Sequence, residues 1–222
     1  MIRLPFYELI GAYKGRKFIF IGAAHTTKLY EEQIRELIVK ENLVTIGVNN
    51  ITHLFIPDFH LWVNNGRVGE FYHCYNPKSH LMIGSHIKEH HYKLFENIVD
   101  SYYYIKYTDD FNNIYESIDY KNDTIHGFYR VGGNLALMIC HLMGAEHIYV
   151  TGVDGYSKPI QGNQHCYGKG FTDSDDMIWE KKKDKMIYYA MRNIANFGVK
   201  FSIITPTLYE QFFDKEKLKH VN

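Results

Sequence analysis

Apolar residues along this chain come in short runs separated by amphipathic stretches. Lys17 to Ile21 (KFIFI) is an apolar run that passes directly into Gly22-Ala23-Ala24-His25-Thr26-Thr27. From Lys28, the apolar positions Leu29, Ile34, Leu37 and Ile38 recur on one side of a 3.6-residue period while Glu31, Glu32, Arg35, Glu36 and Lys40 fall largely elsewhere. This pattern predicts a helix capped by Thr26 or Thr27. Further apolar runs predict strands at 43–48, 58–63, 80–83, 102–107, 147–152 and 199–204, the first two ending in Asn49-Asn50 and Asn64-Asn65. A short amphipathic helix is expected over 88–99 and a long one over 179–197. Residues 135–143 are apolar nearly all round, as in a helix buried against a sheet, with Gly144 as its stop.

This alternation predicts the α/β class, with a single doubly wound, mostly parallel, Rossmann-like sheet. No internal repeat or low-complexity linker divides it, so residues 1–206 are expected to form one nucleotide or nucleotide-sugar binding domain. Within it, 155–176 has little periodicity and is rich in Gly, Ser, Asp, Gln and Asn; so long an unpatterned stretch is expected to act as a lid-like binding loop. Residues 207–222 are expected to form a short helix and a frayed tail.

Charge narrows the partners. The 25 Lys and Arg balance the 25 Asp and Glu, and the one dense basic run, Lys181 to Lys183, lies between Glu180 and Asp184 as in a solvated helix face. Nucleic acid is therefore disfavoured. Three scattered cysteines among 222 residues fit a reducing compartment better than a disulfide scaffold or a four-ligand zinc site, and His86, Glu89, His90 and His91 do not form HExxH. No resident metal or cofactor is expected. The chain lacks 18 successive apolar residues and a signal-like start, which points to the cytoplasm. Aromatics mixed with lysines in 208–220 leave peripheral contact with the inner membrane face open, and exposed aromatic loops leave homo-oligomerisation open. The 19 tyrosines and 14 phenylalanines must in part line the core edge or a pocket.

Candidate chemistry collects at the strand ends. GAAHTT lacks the spacing of both GxGxxG and the P-loop, which weakens NAD, FAD and a typical ATP cradle, yet a small-residue turn before a helix can accept a phosphate on its backbone N–H groups. Gly22 and Ala23 belong to that turn, with His25 a phosphate contact or simply the strand's end. Arg130-Val131-Gly132-Gly133 opens the buried helix similarly: the glycines permit close approach and Arg130 can neutralise an anion. Asn49 and Asn64 can donate and accept toward a ribose or base edge. Asp154 follows an apolar strand and needs a partner, which can be a sugar hydroxyl, Mg²⁺ or a loop cap, while Tyr156 can close the pocket side. In the polar loop, His165 suits proton abstraction from a hydroxyl near neutral pH, Lys169 suits charge stabilisation, and Cys166 beside His165 is a weaker candidate nucleophile. Asp173, Asp175 and Asp176 can cap the following helix.

The small-residue turn, the asparagines after the second and third strands, the Arg-x-x-Gly helix entry, LMGAEHIYVTGVDGY and the loop NQHCYGKG together resemble the bacterial family 42 sialyltransferases. They resemble more broadly the α/β proteins that include motility-associated glycosyltransferases and an archaeal-type 6-hydroxymethylpterin diphosphokinase. The likeness spans roughly residues 17 to 206 and is most specific over 130–156. It implies a CMP-sugar donor, inverting transfer to a glycan or small-molecule acceptor, and no metal. Gly22 and Ala23 then lie near the donor phosphate and sugar, Asn49 and Asn64 contact the nucleotide, Gly132 and Gly133 lie beneath it, and Asp154 with Tyr156 sits beside the cytidine and phosphate. Lys169 falls where the family carries its catalytic histidine, with His165 four residues earlier, and Ala23-Ala24-His25 replaces Asn-Gly-Pro. The diphosphokinase relatives imply an alternative, Mg²⁺-dependent phosphoryl transfer from ATP to a small alcohol with Asp154, joined by Asp173 or Asp175, on the metal, and a non-catalytic nucleotide or glycan binder is a third.

Overall fold

The computed structural model describes residues 1–108, 117–129, 131–158, 165–167 and 176–219. Along the chain, β1 (Ile2–Pro5) and β2 (Lys17–Ile21) precede α1 (His25–Leu29) and α2 (Glu31–Glu41). Next come β3 (Val44–Val48), β4 (Phe59–Trp62), α3 (Asn65–Phe71), β5 (His80–Gly84), α4 (Glu89–Tyr92) and β6 (Ser101–Tyr107). The remainder is β7 (Ser117–Asp119), β8 (Thr124–His126), α5 (Gly132–Leu142), β9 (His147–Thr151), α6 (Met177–Asn196) and β10 (Phe201–Ile203).

The strands join in the order β10-β9-β2-β3-β4-β5-β6-β8-β7, with β1 beside β6. Among the described pairings only β7 with β8 is antiparallel. The fold is thus mixed α/β, a large and mostly parallel sheet flanked by helices in a generic Rossmann-like arrangement. From β2 the sheet grows outward to β6, then the chain returns to place β9 on the other side of β2. Strand order reverses there, and the crevice beyond the carboxyl ends at such a point is where open α/β sheets bind ligands. Register lines up the tips: Ile21 is level with Gly47 and Thr151, and Val48 with Leu61.

Both faces of β2 are covered, which explains its uninterrupted apolar run. Phe18 and Phe20 pack with Leu135, Leu137 and Met138 of α5, whereas Ile19 and Ile21 meet Ile34 and Leu37 of α2 on the opposite face. A Cβ on Gly133 would lie 3.2 Å from the Phe20 ring and one on Gly132 2.9 Å from Val63, so these glycines let α5 press close to the sheet.

Some expectations need correction. The helix foreseen from Lys28 is two helices that break at Tyr30, and α1 begins through Ala24 with no side-chain cap. Thr26 and Thr27 lie inside its first turn, where their hydroxyls bind Asp154 and the Gly22 carbonyl. The short strands β1, β7 and β8 and the helix α3 were not foreseen; three- and four-residue strands carry too little alternation to stand out. The expected short helix after 206 is present as a single 3-10 turn, Glu210–Phe212, but residues 207–219 pack onto the domain instead of fraying: Tyr209 and Leu218 are buried, the Phe212 ring lies 5.1 Å from Phe201, and Asp214 N–H donates to the Ile203 carbonyl. Most of the expected lid lies outside the described residues. Among the described residues no helix is long and apolar enough to cross a membrane.

Candidate ligand cleft at the strand tips

A narrow cleft of about 90 Å³ opens at the carboxyl edge of the sheet. Gly22 and Ala23 after β2, Asn49 after β3, Gly132 to Asn134 at the start of α5, Asp154 and Tyr156 after β9, and His165 line it. It runs into a wider space of about 480 Å³ that shares Asn49, Gly132, Tyr156 and His165 and adds Asn64, Arg67, Tyr107, Tyr129, Trp179 and Lys183. It is the wider compartment, not the narrow first one, that has the volume of a small-molecule pocket. His25, the first residue of α1, is buried but is not part of the lining. Arg130, Lys169, Asp173 and Asp175 lie outside the described residues.

Several of these residues first serve the fold. A Cβ on Gly22 would sit 2.4 Å from the Gly152 carbonyl oxygen, so its small size is dictated by the neighbouring strand tip. Asn64 caps α3, its Oδ1 accepting from Arg67 N–H at 3.2 Å. Asp154 accepts from the N–H of Thr26 at 3.0 Å and from the Thr26 hydroxyl. Burial pushes its carboxyl up to about 6, against the opposing effects of those two bonds and of His25. The Tyr156 loop is held from α6 by buried Asp184, which accepts from the N–H groups of Tyr156 and Ser157 at 2.7 and 2.8 Å and from the Tyr209 hydroxyl at 3.0 Å. Buried Cys166 has its thiol pushed up to about 12 by desolvation, which rules against a thiolate nucleophile; its N–H ties the loop to the Ala23 carbonyl at 2.9 Å.

Other groups have no such use. Asn49 stands at φ 53°, a left-handed conformation asparagine tolerates, and His60 bonds its carbonyl at 2.6 Å. Its Oδ1 is buried and has no hydrogen-bond partner among the described residues, and the same holds for Nδ2 of Asn134. Leaving such an atom unmet costs roughly 1–3 kcal/mol. Both residues line the same cleft, next to the N–H groups of Gly132 and Gly133, which precede the helix's own ladder, while Asn134 N–H donates to the Val131 carbonyl at 3.0 Å.

Two cations that sequence reasoning missed border this space. Arg67, 3% exposed, holds Glu70 at 3.2 Å and places Nη2 3.3 Å from Nε2 of His165. Lys183 lies 3.3 Å above the Tyr156 ring. The expectation of a solvated basic face holds for exposed Lys181 and Lys182 but not for Lys183, Glu180 or Asp184, which face inward. Asp154 is the sole carboxylate among the described lining residues, and Arg67, Lys183 and the amino end of α5 bring anion-binding donors to the cleft, with Arg67 paired to Glu70 and Lys183 3.7 Å from buried Glu180 just behind it. No three His, Cys, Asp or Glu side chains group as metal ligands among the described residues.

No protein-family model matches this chain, and no curated protein matches it significantly. Its function has therefore to be inferred from the site itself.

Proposed function

We propose that the cleft binds a nucleotide-sugar and that the protein is a glycosyltransferase, moving a sialic-acid-like sugar from a CMP-sugar to an acceptor hydroxyl by inverting, metal-independent transfer. The observation that carries this is the pair of unmet amide atoms, Asn49 Oδ1 and Asn134 Nδ2, beside the opening turn of α5. A ligand with hydrogen-bonding edges and a phosphate satisfies both features at once. The wider compartment adds aromatic walls at Tyr107, Tyr129 and Trp179 for the flat or apolar faces of base and sugar, and cations for the phosphate.

In this mechanism His165 accepts the proton of the acceptor hydroxyl as its oxygen attacks the anomeric carbon. The bond from that carbon to the phosphate oxygen breaks, and the electron pair leaves with CMP. Arg67, Lys183 and the α5 amides stabilise the charge that gathers on the departing phosphate. Arg130 and Lys169 join that task on the strength of the resemblance alone. The phosphoryl-transfer alternative needs Asp154 on Mg²⁺, but each of its oxygens already accepts a bond from Thr26 and it is the sole carboxylate among the described lining residues, so the described residues offer that metal few ligands.

Turnover of CMP-sialic acid in EDTA, followed by CMP release, tests the proposal. Transfer or hydrolysis that falls at least about 100-fold in His165→Ala, the lower range for loss of a general base, is expected. Absence of turnover in the unaltered protein, or full activity in the variant, contradicts it.

A further inference from the structure

Arg67 is a buried cation in the wall of the wider compartment. Its side chain is 4% exposed, and its carboxylate partner Glu70, at 3.2 Å, is itself 22% exposed. Beyond Glu70 it rests against the rings of Phe71 and Tyr167, 5.7 and 5.4 Å from their centroids, and against His165. A guanidinium only donates, so Nε2 of His165 must accept, which puts the imidazole proton on Nδ1. The ring is held in that pose by Tyr167, stacked 5.0 Å away and tilted by only 8°. While this contact persists, the Nε2 lone pair is occupied.

Resting on the donor reading above, we infer that Arg67 is the phosphate-binding residue of the cleft and that a bound phosphate draws it off His165, freeing Nε2 to serve as the base. The exchange is favourable in kind. At 3.3 Å the contact to a neutral imidazole is long, whereas a guanidinium–phosphate bond joins opposite charges at shorter range and is roughly twice as strong as a neutral one. Arrival of the anion also brings negative charge close to the ring, which favours proton uptake. The arrangement makes the base available only once a phosphate-bearing donor is in place. Arg67 acts on the leaving group directly and on His165 as a positioning residue.

The test is ¹⁵N NMR of histidine-labelled full-length protein, with His165 assigned by the peak that His165→Gln removes, titrated with inorganic phosphate and with CMP. The inference requires the Nδ1–H tautomer in the free protein and a rise of at least one unit in the apparent pKa of His165 on saturation with either ligand. Arg67→Gln is expected to abolish that rise and weaken binding at least tenfold; should it not fold, the titration of the unaltered protein decides. The opposite tautomer, or a saturating ligand that leaves the His165 titration unmoved, overturns the inference. CMP binding without movement of His165 sinks it and leaves the donor reading standing. A response to phosphate with no binding of CMP supports it and removes the donor reading; binding of neither ligand removes both.

Discussion

Asp154 and Thr26, 128 residues apart in sequence, are joined through both the backbone N–H and the side-chain hydroxyl of Thr26. This fastens the tip of β9 to the first turn of α1, across the point where strand order reverses. A carboxylate just past an apolar strand needs a partner, and here the fold supplies it. Thr26→Val removes the hydroxyl bond while keeping the backbone one, and is expected to destabilise the protein by about 2 kcal/mol, the scale of a hydrogen bond to a charged group. Thr26→Ser should cost less than half as much. Urea unfolding of the three proteins checks the order.

Acid should act in opposite directions at two buried groups. His60 is fully buried and its ring is pushed down to about 4 from an ordinary 6.5, because burial disfavours its charged form. The unfolded chain takes up that proton first, so the contribution of His60 is intact above 6.5 and is lost as pH falls toward 4, by about 3 kcal/mol. Asp154 is raised to about 6 from 3.8, so the folded state takes up its proton first and gains about 3 kcal/mol between pH 6 and 4. The two largely offset. Asp154→Asn should lose stability on acidification more steeply than the unaltered protein, and His60→Gln should lose less or gain. Urea midpoints measured from pH 7 to 4 would falsify this if all three curves ran parallel.

The glycines at the cleft are not equivalent. At Gly22 an added methyl meets backbone on the neighbouring strand tip, 2.4 Å from Gly152 O and 2.8 Å from Thr151 O, so β2 and β9 must separate. Gly22→Ala is expected to cost about 1–3 kcal/mol, as overpacking does. At Gly133 the methyl meets only the Phe20 ring, at 3.2 Å, and alanine gains up to about 1 kcal/mol in helix propensity. Gly133→Ala should therefore be nearly neutral in thermal unfolding, and a loss equal to that of Gly22→Ala would contradict this ranking.

Much of the scaffold was legible. KFIFI, the aliphatic helix of α5 and the strand of β9 each carry strong periodicity or an unbroken apolar run, and their turns gave the residues that meet in the cleft. Roles were harder to read than places. Gly22, Gly132 and Asn64 look like ligand contacts in sequence, yet each has a packing or capping duty visible only once its neighbour across the fold is known. Arg67 was missed because nothing periodic marks a buried arginine just past an asparagine pair. Lys183 and Asp184 were hidden in a charged run, although Glu180, Lys183, Asp184 and Ile187 share one helix face at three- and four-residue spacing, and Ile187 is apolar.

The central claim is that a nucleotide occupies the cleft and satisfies the amide of Asn49. Asn49→Gly keeps the left-handed backbone accessible and removes only the side chain, so the fold is retained while the ligand contact is lost. Calorimetric titration of CMP in EDTA, on the unaltered protein and on this variant, tests the claim most directly. The account predicts saturable binding at one site, weakened about tenfold or more in the variant, a difference of about 1.4 kcal/mol. Absence of CMP binding, or equal affinity in the two proteins, would contradict it.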